Sequence, residues 1–167
     1  ALPPTYCETL GLMARPFSEG PYGLHRRDLA EDFTVPQLDG KDWNLRQSWT
    51  GCDSAIFIPD TLYFGYFWGR EVDQLIDASP RNVHYFFLSR AATEELAEAS
   101  LQTQRDHIDS VLVGLPAEEA DHWREHLHVV AGPVSNLDNW VETMLDGLGA
   151  NGFAIDRLQR LRQVGYL

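Results

Sequence analysis

Apolar and polar positions divide the chain into short buried strands separated by amphipathic helices. Continuous apolar runs at residues 54–58 and 83–88 predict two central strands that are covered on both faces. Between these runs, apolar residues recur at helical spacing over residues 64–78, and Pro80 ends the predicted helix. A strand, a helix and a strand within this length predict a parallel strand pair joined by a right-handed crossover.

The same pattern predicts further elements on both sides of this unit. A hairpin is expected over residues 32–36 and 43–45, because Asp39-Gly40 is a strong turn signal between them. Downstream, the pattern predicts helices over 91–115, 116–126 and 137–148, a strand over 127–131, and a closing hairpin over 153–155 and 160–164. Residues 1–27 are rich in proline and show little periodicity, so we interpret them as an N-terminal arm preceding a domain at 28–167.

The charge balance restricts the classes of partner. The 167 residues carry 25 acidic and 13 basic side chains, which gives a net charge of −12. Nucleic acids and anionic membrane surfaces are bound through clustered Lys and Arg, so we expect neither as a partner. No apolar run approaches the roughly 20 residues that a membrane-spanning helix needs.

The two cysteines, Cys7 and Cys52, leave two interpretations open. Their spacing matches neither a zinc knuckle nor a CxxC pair. They are either buried thiols of a cytosolic protein or a disulfide that ties the arm to the domain in an oxidising compartment. We favour the structural disulfide, and with it a secreted or periplasmic location, because the arm has few other ways to stay docked.

Two segments at the ends of the domain resemble a known fold. Residues 32–41 read DFTVPQLDGK, and residues 152–157 and 160–165 read GFAIDR and RLRQVG. Both resemble the terminal hairpins of the thioredoxin-like fold, in the branch of extracytoplasmic thiol oxidoreductases and peroxiredoxins. The resemblance covers residues 28–167 and implies an α/β fold with a central mixed sheet, flanking helices and, here, an N-terminal extension.

The sequence departs from this family where the family performs its chemistry. The family carries CxxC after the first central strand, at a helix N-terminus that favours a thiolate, and peroxiredoxins carry Thr and Cys there. Tyr63 and Tyr66 stand where the two cysteines would be, and Thr61 is present without a cysteine. The cis-proline that precedes the closing hairpin is also missing, because residues 149–152 read GANG. The resulting degenerate loop, which we expect to be an interaction surface, comprises Pro59, Asp60, Thr61, Tyr63 and Tyr66.

Histidines form a second group with chemical potential. His122 and His126 share a helix face at i and i+4, a spacing that can chelate zinc or copper. The competing interpretation is the polar face of a surface helix. His84 alternates within an apolar strand, so we interpret it as a core histidine with a hydrogen-bond partner.

These observations predict a redox-inactive thioredoxin-like domain, without catalytic residues or cofactor, that binds a protein partner or a neighbouring domain. The alternative is an atypical thiol-disulfide oxidoreductase or peroxidase that uses Cys52 and Cys7, and a third hypothesis is a metal-binding module at His122 and His126. The chain ends at its closing hairpin, where the fold usually continues into a last helix. We therefore expect either part of a longer secreted polypeptide with an uncovered sheet face, or an arm that covers this face.

Overall fold

The computed structural model describes residues 5–61, 68 and 71–165. From residue 34 onward its helices and strands follow the order predicted from the sequence, and a short helix in the arm, Tyr6–Thr9, was not predicted. The strands are β1 (Thr34–Pro36), β2 (Asp42–Asn44), β3 (Ser54–Pro59), β4 (Val83–Ser89), β5 (Leu127–Pro133), β6 (Gly152–Ile155) and β7 (Leu161–Gly165). The α-helices are α1 (Tyr6–Thr9), α2 (Val72–Ala78), α3 (Glu94–Val113), α4 (Ala117–His126) and α5 (Trp140–Glu142). A 3₁₀ turn (Val134–Asn136) precedes α5, and a π-helical turn (Thr143–Gly147) follows it.

A mixed sheet with the strand order β5-β4-β3-β6-β7 forms the centre of the described residues. Strands β3, β4 and β5 are parallel, whereas β6 and β7 are antiparallel to their neighbours. The parallel pair is in register with Phe57 opposite Phe86, so the predicted strand–helix–strand unit is confirmed. The small hairpin of β1 and β2 pairs separately, with Val35 opposite Trp43.

The two faces of the sheet bury different sets of side chains, because successive residues of a strand point to opposite faces. Tyr85 and Phe87 of β4 pack in one cluster with α2, α3 and α4. Phe86 of the same strand packs in the other cluster with the hairpin, α5 and β6. There Phe57 stacks between Phe86 and Phe153, with ring centroids 4.7 and 4.2 Å apart. Within the described residues, no helix combines the length and apolar character needed to cross a bilayer.

The arm packs over one face of the central sheet. Phe17 and Leu24 of the arm pack against the cluster around Phe57. Gln159, which is fully buried, holds the arm in place through its amide. Its Nε2 donates to the carbonyl oxygens of Ser18 and Ala30, and its Oε1 accepts from the Ser18 N–H. Among the described residues, the arm therefore shields this face, as the expectation of a covering arm has it, and the expectation of a longer polypeptide stays a prediction.

The single helix predicted over residues 137–148 is broken into shorter pieces. Asp138 has a positive φ of 48°, which an α-helix cannot contain, and α5 therefore starts afresh at Trp140. The Asn139 side chain caps this start by accepting from the backbone N–H groups of Val141 and Glu142. The apolar stripe was correct in marking buried residues, because Met144 and Leu145 of the π-helical turn are also buried.

Candidate functional site

The loop that follows β3 is where the family resemblance places redox chemistry. Pro59 is buried at the end of β3, and the Asp60 N–H donates to the Leu88 carbonyl oxygen at 2.8 Å. Burial raises the pKa of the Asp60 carboxyl above its ordinary value. The Thr61 hydroxyl is buried and has no hydrogen-bond partner among the described residues. Tyr63 and Tyr66 lie outside the described residues, so the expected interaction surface stays a prediction.

The two cysteines meet at the opposite, amino end of β3. Cys7 of α1 forms a disulfide with Cys52, which lies two residues ahead of β3, and their Cα atoms are 5.7 Å apart. Both are buried, with 4% of Cys7 and 0% of Cys52 exposed. The disulfide predicted from the sequence is thus confirmed, and it joins the arm to the amino end of the central strand.

Thr50 connects this disulfide to a buried carboxylate. Its Oγ1 lies 3.3 Å from Sγ of Cys52, accepts from the Cys52 backbone N–H and donates to Oδ2 of Asp53 at 2.6 Å. The hydroxyl of Tyr6 donates to Oδ1 of Asp53 at 2.9 Å, and burial and this carboxylate raise the pKa of Tyr6. Asp53 in turn faces Nε2 of His84 at 3.9 Å.

His84 belongs to a histidine cluster (His84, His122, His126 and His128) whose hydrogen bonds fix where the protons lie. Nδ1 of His128 is 2.7 Å from Oε1 of Gln37, an acceptor, so this nitrogen carries the proton. In neutral His128, Nε2 is then an acceptor, and it lies 2.9 Å from Nδ1 of His84. His84 must therefore donate from Nδ1, which leaves the lone pair of its Nε2 directed toward Asp53.

The environment lowers the pKa of three of these rings, His84, His122 and His128. Burial, and secondarily the proximity of His126, lowers the pKa of His84 to about 4. Burial likewise lowers the pKa of His128 well below its ordinary value, with His84 as the next cause. The pKa of His122 is lowered by burial and by His126. At neutral pH the Nε2 lone pair of His84 is therefore available to an acid or a metal ion.

Of the predicted metal-ligand pair His122 and His126, only His126 has a free ring nitrogen near other potential ligands. Nε2 of His122 lies 3.0 Å from the carbonyl oxygen of Arg81 and is committed to donating there. Nδ1 of His126 donates to the carbonyl oxygen of His122 at 2.8 Å, which leaves Nε2 of His126 as its free nitrogen. Among the described residues, Asp53, His84 and His126 each offer one ligand atom within 4.8 Å of the other two.

A narrow crevice leads to two of these side chains. It has a volume of about 20 Å³ and is lined by Asp53 and His84 together with Trp43, Trp49 and Thr50. One water needs roughly 10–15 Å³ of such space, so the crevice accommodates a single water beside the carboxylate and the imidazole.

Sequence reasoning missed Asp53 and Thr50 and assigned His84 to the core alone. Strands β4 and β5 pair in parallel with Tyr85 opposite Leu127, so the preceding residues, His84 and His126, become neighbours with ring centroids 4.3 Å apart. The sequence signal for this contact is a histidine near the start of each of two predicted parallel strands. Aligning the two strands at their amino ends places the two histidines side by side.

Comparison with known proteins agrees with the architecture. No family model matches the sequence, and no curated protein matches it. Among solved structures, the thioredoxin domain of a thiol-disulfide oxidoreductase from Bacteroides vulgatus matches with a TM-score of 0.51 at 10% identity, over 86% of this chain and 90% of that one. The chain has a thioredoxin-like fold. This confirms the fold that the two terminal hairpins indicated.

Other thioredoxin-like structures match at lower TM-scores. The exposed lipoprotein thioredoxin Etrx1 from Streptococcus pneumoniae matches with a TM-score of 0.44 at 14% identity, over 82% of this chain and 91% of that one. A thiol peroxidase from Chromobacterium violaceum matches with a TM-score of 0.45 at 11% identity, over 89% of this chain and 79% of that one.

The prediction of a redox-inactive thioredoxin-like module is wrong. It rested on the lack of cysteine in residues 59–66, the loop that carries the redox group in the family. The disulfide between Cys7 and Cys52 overturns it, because a cystine is itself a two-electron redox group and this one lies at the other end of β3. The finding favours the alternative, a cysteine-based oxidoreductase.

Proposed function

We propose that this chain is a thiol-disulfide oxidoreductase whose redox pair is Cys7 and Cys52. The observation that carries the proposal is the disulfide between them, which is the oxidised product of such a reaction. The Thr50 hydroxyl lies 3.3 Å from Sγ of Cys52 and donates to the carboxylate of Asp53, so a hydroxyl lies within hydrogen-bonding reach of this sulfur and a carboxylate lies behind that hydroxyl. These groups supply what thiol chemistry needs, a stabilised thiolate and a route for its proton.

The two sulfur atoms have different roles because their surroundings differ. Cys7 lies in the four-residue helix α1 on the arm, whereas Cys52 is fully buried against the start of β3. Movement of α1 exposes Cys7 first, so Cys7 is the nucleophile that meets the substrate. Cys52 is the resolving cysteine, held at its place by the backbone hydrogen bond to Thr50.

The reaction consists of two exchanges. In the reduced protein, the Cys7 thiolate attacks one sulfur of a substrate disulfide, and the other substrate sulfur leaves as a thiolate that takes up a proton. The Cys52 thiolate then attacks Sγ of Cys7, which re-forms the disulfide seen here and releases the second substrate sulfur as a thiol. Two electrons pass to the substrate disulfide, and a dithiol reductant reverses the change to complete the cycle.

Thr50 and Asp53 act on the resolving step. When Cys52 is reduced, its thiol faces Oγ1 of Thr50, whose hydroxyl proton is directed at Oδ2 of Asp53. Rotation of that hydroxyl toward Sγ donates a hydrogen bond to the Cys52 thiolate and favours the charged form that attacks. In the oxidised protein this hydroxyl instead donates its hydrogen bond to the carboxylate of Asp53.

Exchange requires local opening of the arm. The disulfide is buried, and the hydrogen bond from the Tyr6 hydroxyl to Asp53 holds α1 over it. Short segments with few buried contacts open at a lower free energy than the whole fold, so we expect the arm to open transiently before each exchange. We further propose that the protein acts on a protein partner outside the cytoplasm, because disulfides persist in oxidising compartments.

Dithiothreitol-driven reduction of insulin tests this function. The wild-type protein is expected to accelerate insulin precipitation above the uncatalysed rate, and Cys7→Ala and Cys52→Ala are each expected to abolish the acceleration. Thr50→Val is expected to lower the rate about tenfold, the value of one lost hydrogen bond near 1.4 kcal/mol. Thr103→Val is the matched control, because Thr103 lies on the exposed side of α3 and donates within its own helix.

Two outcomes decide the proposal. Acceleration that is lost with either cysteine and retained in Thr103→Val supports it. A wild-type rate equal to that of Cys7→Ala, with thiol titration showing the disulfide still intact after insulin is reduced, overturns it.

A further inference from the structure

Three side chains that can bind a metal ion converge near the amino ends of β3 and β4. Asp53, His84 and His126 come from a loop, a strand and a helix end, and one ligand atom of each lies within 4.8 Å of the other two. All three side chains are largely shielded from solvent. Neither cysteine belongs to this group, and neither does the predicted ligand His122.

The hydrogen bonds behind the two imidazoles prepare them as ligands. His84 donates from Nδ1 to His128, which itself donates to Gln37, and His126 donates from Nδ1 to the carbonyl oxygen of His122. Each ring therefore presents an unprotonated Nε2. Metal-binding histidines in proteins are oriented in this way, by a donated hydrogen bond from the nitrogen that does not bind the metal.

We propose that Asp53, His84 and His126 bind a single zinc ion in a site with two imidazole ligands and one carboxylate ligand. Two nitrogen atoms and one oxygen atom suit Zn²⁺, which takes three protein ligands and one water in tetrahedral geometry. The crevice at Asp53 and His84 holds about 20 Å³, which is space for one water and therefore for one open position. Octahedral ions such as Fe²⁺ with the same ligands would need more open positions.

The distances require a small closure of the side chains. Oδ2 of Asp53 and Nε2 of His84 are 3.9 Å apart. Ligand atoms about 2.0–2.1 Å from a tetrahedral zinc ion lie about 3.4 Å from each other, so these two approach by about 0.5 Å.

Zinc titration of the oxidised, chelator-stripped protein tests this site. Competition with a chromophoric chelator is expected to show one equivalent of bound Zn²⁺, and Co²⁺ is expected to give the intense visible absorption of a tetrahedral ion. Asp53→Asn, His84→Gln and His126→Gln are expected to lower the zinc affinity by at least about 100-fold, more than the 10–100-fold cost of outer-shell changes. His128→Phe is expected to fall within that outer-shell range.

His122→Ala is the matched control. The variant keeps the backbone carbonyl that orients His126, so its zinc affinity is expected to stay within about threefold of the wild-type value. If His122→Ala loses binding while His84→Gln retains it, the metal is held by the i, i+4 pair on α4 and the proposal is overturned. An octahedral Co²⁺ spectrum, or no zinc binding at 100-fold molar excess, also overturns it.

A measurement on the wild-type protein covers the case in which a variant does not fold. In protein labelled with ¹⁵N-histidine, the Nε2 resonances of His84 and His126 are expected to shift on addition of one equivalent of Zn²⁺, and those of His25 and His107 to stay in place. Shifts confined to His25 or His107 overturn the proposal. The measurement uses the oxidised protein without a substrate, so its failure is separate from failure of the oxidoreductase proposal.

Discussion

Removing the disulfide is expected to cost the fold about 4 kcal/mol of unfolding free energy in the double variant Cys7→Ala/Cys52→Ala. The two residues are 45 positions apart in sequence. In the chain-entropy model, closing a loop of this length removes about 13–14 cal/mol/K from the unfolded chain, which is about 4 kcal/mol at room temperature. Alanine is chosen because a serine hydroxyl at the fully buried position 52 would add a desolvation cost.

Urea unfolding at neutral pH, followed by tryptophan fluorescence, measures this loss. The chain has five tryptophans, and Trp49 and Trp140 pack in the core that the arm covers. The variant is expected to unfold at lower urea with a larger m-value, because its unfolded state is more expanded than the cross-linked one. Wild-type protein reduced with dithiothreitol is the control and is expected to lose the same free energy as the double variant.

Two results of the urea experiment would contradict this expectation. A loss below about 1 kcal/mol with an unchanged m-value would refute the view that the cross-link acts through the entropy of the unfolded chain. A much larger loss than in the reduced wild type would show that alanine at these positions damages the packing of the folded arm.

Three further predictions concern the arm and the histidine cluster. Gly51→Ala is expected to destabilise the fold by about 2–4 kcal/mol, since Gly51 has a φ of +77° and the added Cβ would lie 2.2 Å from the backbone nitrogen of Arg15. The control Gly40→Ala has a similar φ of +84° but no atom within 4 Å of the added Cβ, and it is expected to cost only about 1 kcal/mol. In chelator-treated protein, His84 is expected to make its full contribution to the free energy of unfolding above pH 6.5. Roughly 3 kcal/mol of this free energy is expected to be lost as the pH falls to 4, because His84 binds a proton in the unfolded chain and stays unprotonated in the folded protein. An equally steep pH dependence of the unfolding free energy in His84→Gln would contradict this. Gln159→Leu is expected to lose about 2–4 kcal/mol and to expose the arm to proteolysis, because the Ser18 N–H and the Ala30 carbonyl oxygen lose their partner and the Ser18 carbonyl oxygen keeps only the Tyr22 hydroxyl. An unchanged cleavage rate would show that the arm is held by other contacts.

Local patterns in the sequence were sufficient for the central strands. The runs at 54–58 and 83–88 are apolar at nearly every position because both faces of β3 and β4 are covered, and such runs read as buried strands without knowledge of their neighbours. The stripe over 137–148 was misleading as a single helix because periodicity reports which side chains are buried. It does not report the positive φ at Asp138, which stops the helix and restarts it at Trp140.

The candidate site lay largely beyond the reach of local patterns. The i, i+4 spacing of His122 and His126 is visible in the sequence, but the partner of His126 comes from the neighbouring strand, and its pairing depends on the β4–β5 register. Thr50 and Asp53 have no periodic signature at all, since they lie in a loop. The disulfide was accessible to sequence reasoning because the chain has only two cysteines.

The link between the arm and β3 also sets the direction in which electrons are expected to flow. By thermodynamic linkage, a disulfide that stabilises the fold is stabilised by the fold to the same extent. The 4 kcal/mol expected from loop closure corresponds to a reduction potential about 85 mV lower in the folded protein than in the unfolded chain, at about 30 mV per 1.4 kcal/mol for a two-electron couple. Once reduced, the folded protein is therefore a stronger electron donor than the same two cysteines in a flexible chain.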